Sequence, residues 1–188
     1  NWRCVGRRVA AAWTEIGILV GFGFLSIAGA GILTNIIKQL VGRGRPIHFD
    51  LNGAFDFLPF QFTYGHASFP SGHATTMGAL AVVIMVIAPR LRIPALLLCG
   101  LVAASRVVVG SHFPSDVVGG FMLGAAYTWF YALALAEAGI GFARTPAGTI
   151  TARVIATRRV YGRPRGLLIA ATGLWSAIAG RSSRTMST

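Results

Sequence analysis

Ser105–Asp116 reads Ser-Arg-Val-Val-Val-Gly-Ser-His-Phe-Pro-Ser-Asp and stands between two apolar runs, Ile93–Ala104 and Val117–Ala136. Runs of that kind, either side of a short polar hinge, read as two helices that turn back on each other at a membrane surface. The hinge holds an arginine, a histidine and a carboxylate, in a chain where charge is scarce. The 188 residues are 54% hydrophobic and 12% charged, with mean hydropathy +0.66. Soluble domains carry about 25% charged residues. Composition therefore excludes an ordinary soluble domain.

Working outward, Val9–Ile37 is apolar except for Thr14, Glu15, Ser26, Thr34 and Asn35, and is long enough to cross a bilayer. Glycines 17, 21, 23, 29 and 31 suit close helix–helix contact. Residues 47–69 form a loop rich in aromatics (Phe49, Phe55, Phe57, Phe60, Phe62, Tyr64 and Phe69), which favours the membrane–water interface. A further span runs from Ser71 to Pro89. After Val117–Ala136 the chain turns basic, and its one apolar piece, 166–180, is short for a span and reads as an interfacial helix. Cys4 and Cys99 are the only cysteines, so no disulfide framework or cysteine-based metal site is expected.

Charge orients these four spans. With the first starting in the cytoplasm, that side receives Arg3, Arg7, Arg8, Arg90, Arg92 and the basic tail, 13 cations in all. The other side receives four: Lys38, Arg43, Arg45 and Arg106. This is the positive-inside bias. The net charge of +12 is thus a topology signal and not a sign of nucleic-acid binding. Three of the four exceptions belong to polar motifs that fall on one membrane face.

The first motif is Lys38–Pro46. Lys38 and Arg45 stand seven residues apart, two helical turns, so a helix ending at Pro46 puts both cations on one face. Two stacked cations call for an anion, although basic residues also favour helix C-termini. The second is Pro70-Ser71-Gly72-His73, directly before an apolar helix. A helix N-terminus offers free N–H groups to an anion. Gly72 admits a close approach, and the Ser71 hydroxyl either caps the helix or donates to a phosphate. The third is the opening stretch. Arg106 is costly at a span end without a partner. His112 and Asp116 are spaced i, i+4, and Pro114 suits the first turn of the next helix. An Asp116 carboxylate bonded to one imidazole nitrogen leaves the other as nucleophile or base. Arg43, His48 and His66 read as interfacial or loop residues.

Taken together, Lys38 with Arg45-Pro46, Pro70-Ser71-Gly72-His73, and Ser105-Arg106 with His112 and Asp116 resemble the three-part signature of the type 2 phosphatidic acid phosphatase superfamily, over residues 10–137. The vanadium haloperoxidases share the pattern, but their soluble character fits this composition poorly. The resemblance implies an all-α, membrane-embedded helical bundle, usually of six spans with the first motif after the third. Only one span precedes Lys38, so about four spans are expected here and the first two are expected to be missing. Residues 1–140 then form the phosphatase core and 141–188 a basic tail.

The resemblance also implies roles. Lys38, Arg45 and Arg106 hold phosphate oxygens, helped by Ser71 and the Gly72 N–H. His112 attacks phosphorus to give a phosphohistidine and is oriented by Asp116. His73 protonates the leaving oxygen and then activates water, and Ser105 supplies a supporting hydrogen bond. The expected activity is hydrolysis of a lipid phosphomonoester or diphosphate. No cofactor or metal is expected, since Asp50 and Asp56 are the only other carboxylates on that face. The alternatives are a phosphotransferase with an alcohol acceptor, or a non-catalytic lipid-phosphate binder. The expected partners are the substrate and the bilayer, without nucleic acid. The expected location is the bacterial inner (plasma) membrane, multi-pass, with the site on the periplasmic or extracellular face.

Overall fold

The computed structural model describes residues 2–48, 53–60, 62–146 and 148–155. The tail beyond 155, including the stretch 166–180, lies outside the described residues. Four helices, α1 (Trp2–Val41), α2 (Gly72–Ile87), α3 (Arg92–Val108) and α4 (Pro114–Glu137), precede a hairpin of β1 (Phe142–Arg144) and β2 (Ile150–Ala152). The chain divides into two compact units, residues 1–18 with 153–188, and Leu19–Ala152. The site lies in the second.

Among the described residues three helical stretches, Gly6–Val41, Pro89–Val108 and Pro114–Glu137, are long and apolar enough to cross a membrane. Their outer faces carry exposed apolar side chains, among them Phe24 and Ile32 on α1, Leu97 and Leu101 on α3, and Met122 and Phe130 on α4. In water such faces would be a liability; in lipid they are at rest. The fourth expected span, α2, has 16 residues, about 24 Å of helix against roughly 30 Å of hydrocarbon. Pro89 stops it, because the residue before a proline avoids helical geometry.

Short as it is, α2 is the centre of the unit. It packs along α4 and against α3. Its buried positions Ala74/Thr75, Gly78/Ala79, Ala81/Val82/Val83 and Val86 recur every three to four residues, so one broad stripe faces its neighbours. The backbones of α2 and α4 touch. A Cβ on Gly120 would collide with the Ser71 carbonyl oxygen, and one on Gly124 with that of Thr75. Along α1 the expected close contact occurs at Gly29, where a Cβ would collide with Tyr127, and more loosely at Gly23, where it would lie 3.7 Å from Val83; at Gly17, Gly21 and Gly31 a Cβ would meet nothing within 4 Å among the described residues.

α1 ends earlier than Pro46. The last helical residue is Val41, and Gly42 follows with φ +57°. That left-handed conformation is the usual glycine stop, and a side chain is excluded there as well, because the Leu58 carbonyl lies where a Cβ on Gly42 would stand. The chain from Arg43 onward runs beside the 53–60 segment, bridging Arg43 to Phe57. Lys38 and Arg45 therefore do not share a helix face.

No strand was expected, yet β1 and β2 pair antiparallel with Phe142 opposite Ala152. Phe142 and Ile150 are buried. The Phe142 ring lies 4.7 Å from that of Phe22, which stacks in turn on Tyr131 at 5.7 Å.

Candidate active site

The first motif leaves from the C-terminus of α1, the second opens α2, and the third joins the C-terminus of α3 to the N-terminus of α4. Alternating helix direction brings all three to one end of the bundle. The backbone joins two of them directly, since the Ser71 N–H donates to the Asp116 carbonyl at 3.0 Å.

Lys38, in the last turn of α1, is buried, and its Nζ donates to the Ala67 carbonyl at 2.7 Å. Its Cε lies 4.0 Å from where a Cβ on Gly72 would be, so the first and second motifs meet there. Arg45 lies beyond the helix with its guanidinium 3.8 Å over the Tyr64 ring. It donates to the Tyr64 hydroxyl from Nη1 at 2.9 Å and to the Tyr64 carbonyl from Nε at 3.1 Å.

Ser71 is the N-cap residue of α2, with extended backbone at φ −69° and ψ 119°, but its side chain makes no cap bond. Its hydroxyl is buried and has no partner among the described residues. Of the two uses open to it from sequence, capping is the one the structure does not show. His73 is exposed on the first turn of α2. Arg106, His112, Lys38 and Arg45 all act on it electrostatically, so residues of all three motifs lie within reach of its ring.

Arg106, in the last turn of α3, donates from Nη2 to the Ser111 hydroxyl at 3.2 Å, while its buried Nε is unpaired among the described residues. Gly110, at φ +72°, turns the chain after α3, and Pro114 begins α4. His112 is 5% exposed and Asp116 fully buried. Ser105 is not brought in: it is exposed, and its hydroxyl donates to Val102 of its own helix at 2.7 Å.

The expected His112–Asp116 pairing is less direct than the i, i+4 spacing suggests. Nδ1 of His112 lies 3.7 Å from Asp116 Oδ2, longer than a hydrogen bond. Ser68 stands beside the gap. Its hydroxyl donates to Oδ2 at 2.6 Å and lies 3.5 Å from Nδ1. Oδ2 also accepts the Phe113 N–H at 3.0 Å, the returning half of a capping box. Oδ1 takes Nη1 of Arg43 at 2.6 Å.

Arg43, read as an interfacial or loop residue, is a loop residue whose side chain is buried. It is 8% exposed and bonded also to the Ser115 hydroxyl at 2.7 Å and, through Nε and Nη2, to the Ala54 carbonyl. The Phe113 ring lies 4.4 Å from its guanidinium carbon. Its sequence signal is slight: a second arginine two places before Arg45. That of Ser68 is proximity to Ser71 alone. His66, read as a loop residue, pairs with Asp56 at 3.2 Å. The described loop aromatics Phe55, Phe57, Phe60, Phe62 and Tyr64 are exposed, whereas Phe69 packs on Gly119. Phe49 and the His48 side chain lie outside the described residues.

Cations converging at a helix N-terminus, beside a histidine backed by a carboxylate, are the parts that phosphate-handling proteins use to hold an anion. The chain belongs to the PAP2 superfamily, whose sequence profile matches residues 19–139. It is 39% identical over 126 residues to a lipid A 1-phosphatase of Rhizobium johnstonii, covering 66% of this chain and 51% of that protein. An undecaprenyl-diphosphatase of Sulfolobus acidocaldarius is 33% identical over 112 residues, 59% of this chain and 51% of the relative. A decaprenylphosphoryl-5-phosphoribose phosphatase of Mycobacterium tuberculosis is 39% identical over 104 residues, 53% and 54% of the two chains. The chain spans about half the length of these curated relatives. No solved structure matches it.

Proposed function

We propose that the protein is an integral membrane phosphatase that releases phosphate from a lipid phosphomonoester or diphosphate through a phosphohistidine, without a metal ion. The observation that carries this reading is the two buried donors left without a partner among the described residues, Ser71 Oγ and Arg106 Nε, beside the cluster of Lys38, Arg45, His73 and His112. Buried donors without partners are expensive, and the oxygens of a phosphate would give each an acceptor. The three named relatives support a lipid-linked phosphate, since each name is that of a phosphatase for such a molecule.

In the first step Nε2 of His112, the nitrogen turned away from Ser68 and Asp116, forms a bond to phosphorus. The bond from phosphorus to the leaving oxygen breaks, and that oxygen takes a proton from His73. In the second step His73 removes a proton from water, the hydroxide attacks phosphorus, and the phosphorus–nitrogen bond breaks to give inorganic phosphate. Lys38, Arg45 and Arg106 offset the charge that phosphoryl transfer gathers on the equatorial oxygens. The helix N-terminus at Gly72 adds backbone donors. The site would open toward the periplasmic or extracellular face, where the basic residues are few.

The test is phosphate release from phosphatidate, phosphatidylglycerophosphate, a prenyl diphosphate and a lipid A phosphate, for wild type and His112→Ala. Release confined to the wild type supports the reading. Equal release by both proteins would overturn it.

A further inference from the structure

We propose that Arg43 and Ser68 are positioning residues for the nucleophile: Arg43 pins the Asp116 carboxylate from one side, and Ser68 carries its hold across to His112. The proposal rests on the phosphohistidine reading and concerns two residues to which the family signature assigns no role here.

Asp116 meets His112 only at long range in this structure. Its nearer oxygen is 3.7 Å from Nδ1, where attraction persists but direction does not. The Ser68 hydroxyl lies within 2.6 Å of that oxygen and 3.5 Å of Nδ1. With its one proton on Asp116, the hydroxyl can only accept from the ring. The order is then Nδ1–H to Ser68 Oγ, and Ser68 O–H to Asp116 Oδ2. That order puts the ring proton on Nδ1 and the free lone pair on Nε2, the tautomer a nucleophile needs.

A relay of this kind works only if the carboxylate is fixed. Asp116 has two oxygens to hold, and each is held. Oδ2 is committed to Ser68 and the Phe113 N–H. Oδ1 is committed to Arg43 Nη1 at 2.6 Å. Arg43 cannot drift, because the Ala54 carbonyl takes Nε and Nη2 and the rings of Phe113 and Phe57 lie against it at 4.4 and 5.8 Å. The fork of a guanidinium serves this purpose; an ammonium in its place would keep the charge and lose the geometry. Arg43 therefore differs in kind from Lys38, Arg45 and Arg106. It is turned to the carboxylate, not to the substrate.

This distinction gives the test. The full-length protein in detergent is assayed as wild type, Ser68→Ala, Arg43→Lys, Arg43→Met and His112→Ala on the best lipid phosphate of the panel, with kcat and KM measured separately. Phosphoenzyme is trapped by rapid quench. Ser68→Ala and Arg43→Met are expected to lower kcat by roughly 10²-fold, the cost of a misplaced reacting group, and to slow phosphoenzyme formation equally, with KM within about threefold. Arg43→Lys is expected to recover part of the loss. Thermal unfolding of each variant sets aside those that do not fold, and Ser68→Ala, which removes one oxygen, decides the matter if Arg43→Met is lost. A folded Ser68→Ala with wild-type kcat, or a loss expressed only in KM, would overturn the proposal. If His112→Ala is inactive while Ser68→Ala is unimpaired, the relay fails and the phosphohistidine reading stands; if His112→Ala is active, the reading itself fails.

Discussion

The Ser71 amide donates to the Asp116 carbonyl at 3.0 Å, so the entry to α2 is bonded to the first turn of α4. Residues 45 positions apart in sequence become neighbours through main chain alone. The bond requires the two helices to touch, which they do at Gly120 and Gly124. The geometry of the candidate site is thus set by helix packing below it.

Substitution at that crossing is predicted to be severe. Gly120→Ala would push a methyl into the Ser71 carbonyl, and overpacking of this kind costs about 1–3 kcal/mol. Gly21→Ala, where a Cβ meets nothing within 4 Å, should stabilise the helix by roughly 0.5–1 kcal/mol. Thermal unfolding in detergent should rank them in opposite directions from wild type.

Ser71→Ala separates stability from function. The hydroxyl is buried and makes no bond among the described residues, so its removal should leave the melting temperature unchanged or higher. As a phosphate donor its loss should lower kcat/KM by about 10²-fold, the usual cost of one such donor. A fall in melting temperature without a fall in activity would make Ser71 a structural cap.

Tyr64 is predicted to hold Arg45 ready. The guanidinium lies 3.8 Å over the ring and bonds the hydroxyl at 2.9 Å. At an exposed site a cation–π contact is modest, so Tyr64→Ala should raise KM by about two- to fivefold and leave kcat nearly unchanged. Tyr64→Phe should fall between. A change in kcat alone would mean that Arg45 is not a ground-state phosphate contact.

Chelation should have no effect. Charge at the site comes from Lys38, Arg45 and Arg106, so phosphate release in excess EDTA should equal that without it. Loss of activity that returns on adding a divalent cation would refute the metal-free step alone.

How much of this was legible beforehand follows from what each feature depends on. The helices and the three motifs were readable because apolar runs and residue identities are local facts. The end of α1 was misread at Pro46, since the stop at Gly42 is confirmed only by Leu58, 16 residues on. Arg43 is the loop cation it looked like, but its burial could not be read, because it depends on Ala54, Phe113 and Asp116, which arrive from two other segments. The i, i+4 spacing of His112 and Asp116 correctly made them neighbours, but spacing cannot show that Ser68 would stand beside them. The hairpin escaped because each strand has three residues, too short for any alternation to register. Gly120 and Gly124 gave no warning, since a glycine that touches another backbone and one that faces lipid look the same in sequence.

The most direct measurement is chemical trapping of the intermediate. Wild type and His112→Ala are mixed with a lipid phosphate carrying radiolabelled phosphorus, quenched within one turnover, and the protein-bound label is tested for acid and base stability. A phosphohistidine is lost in acid and kept in base. The account predicts a label with that behaviour on wild type and none on His112→Ala. Label retained on His112→Ala, or label stable to acid, would contradict it.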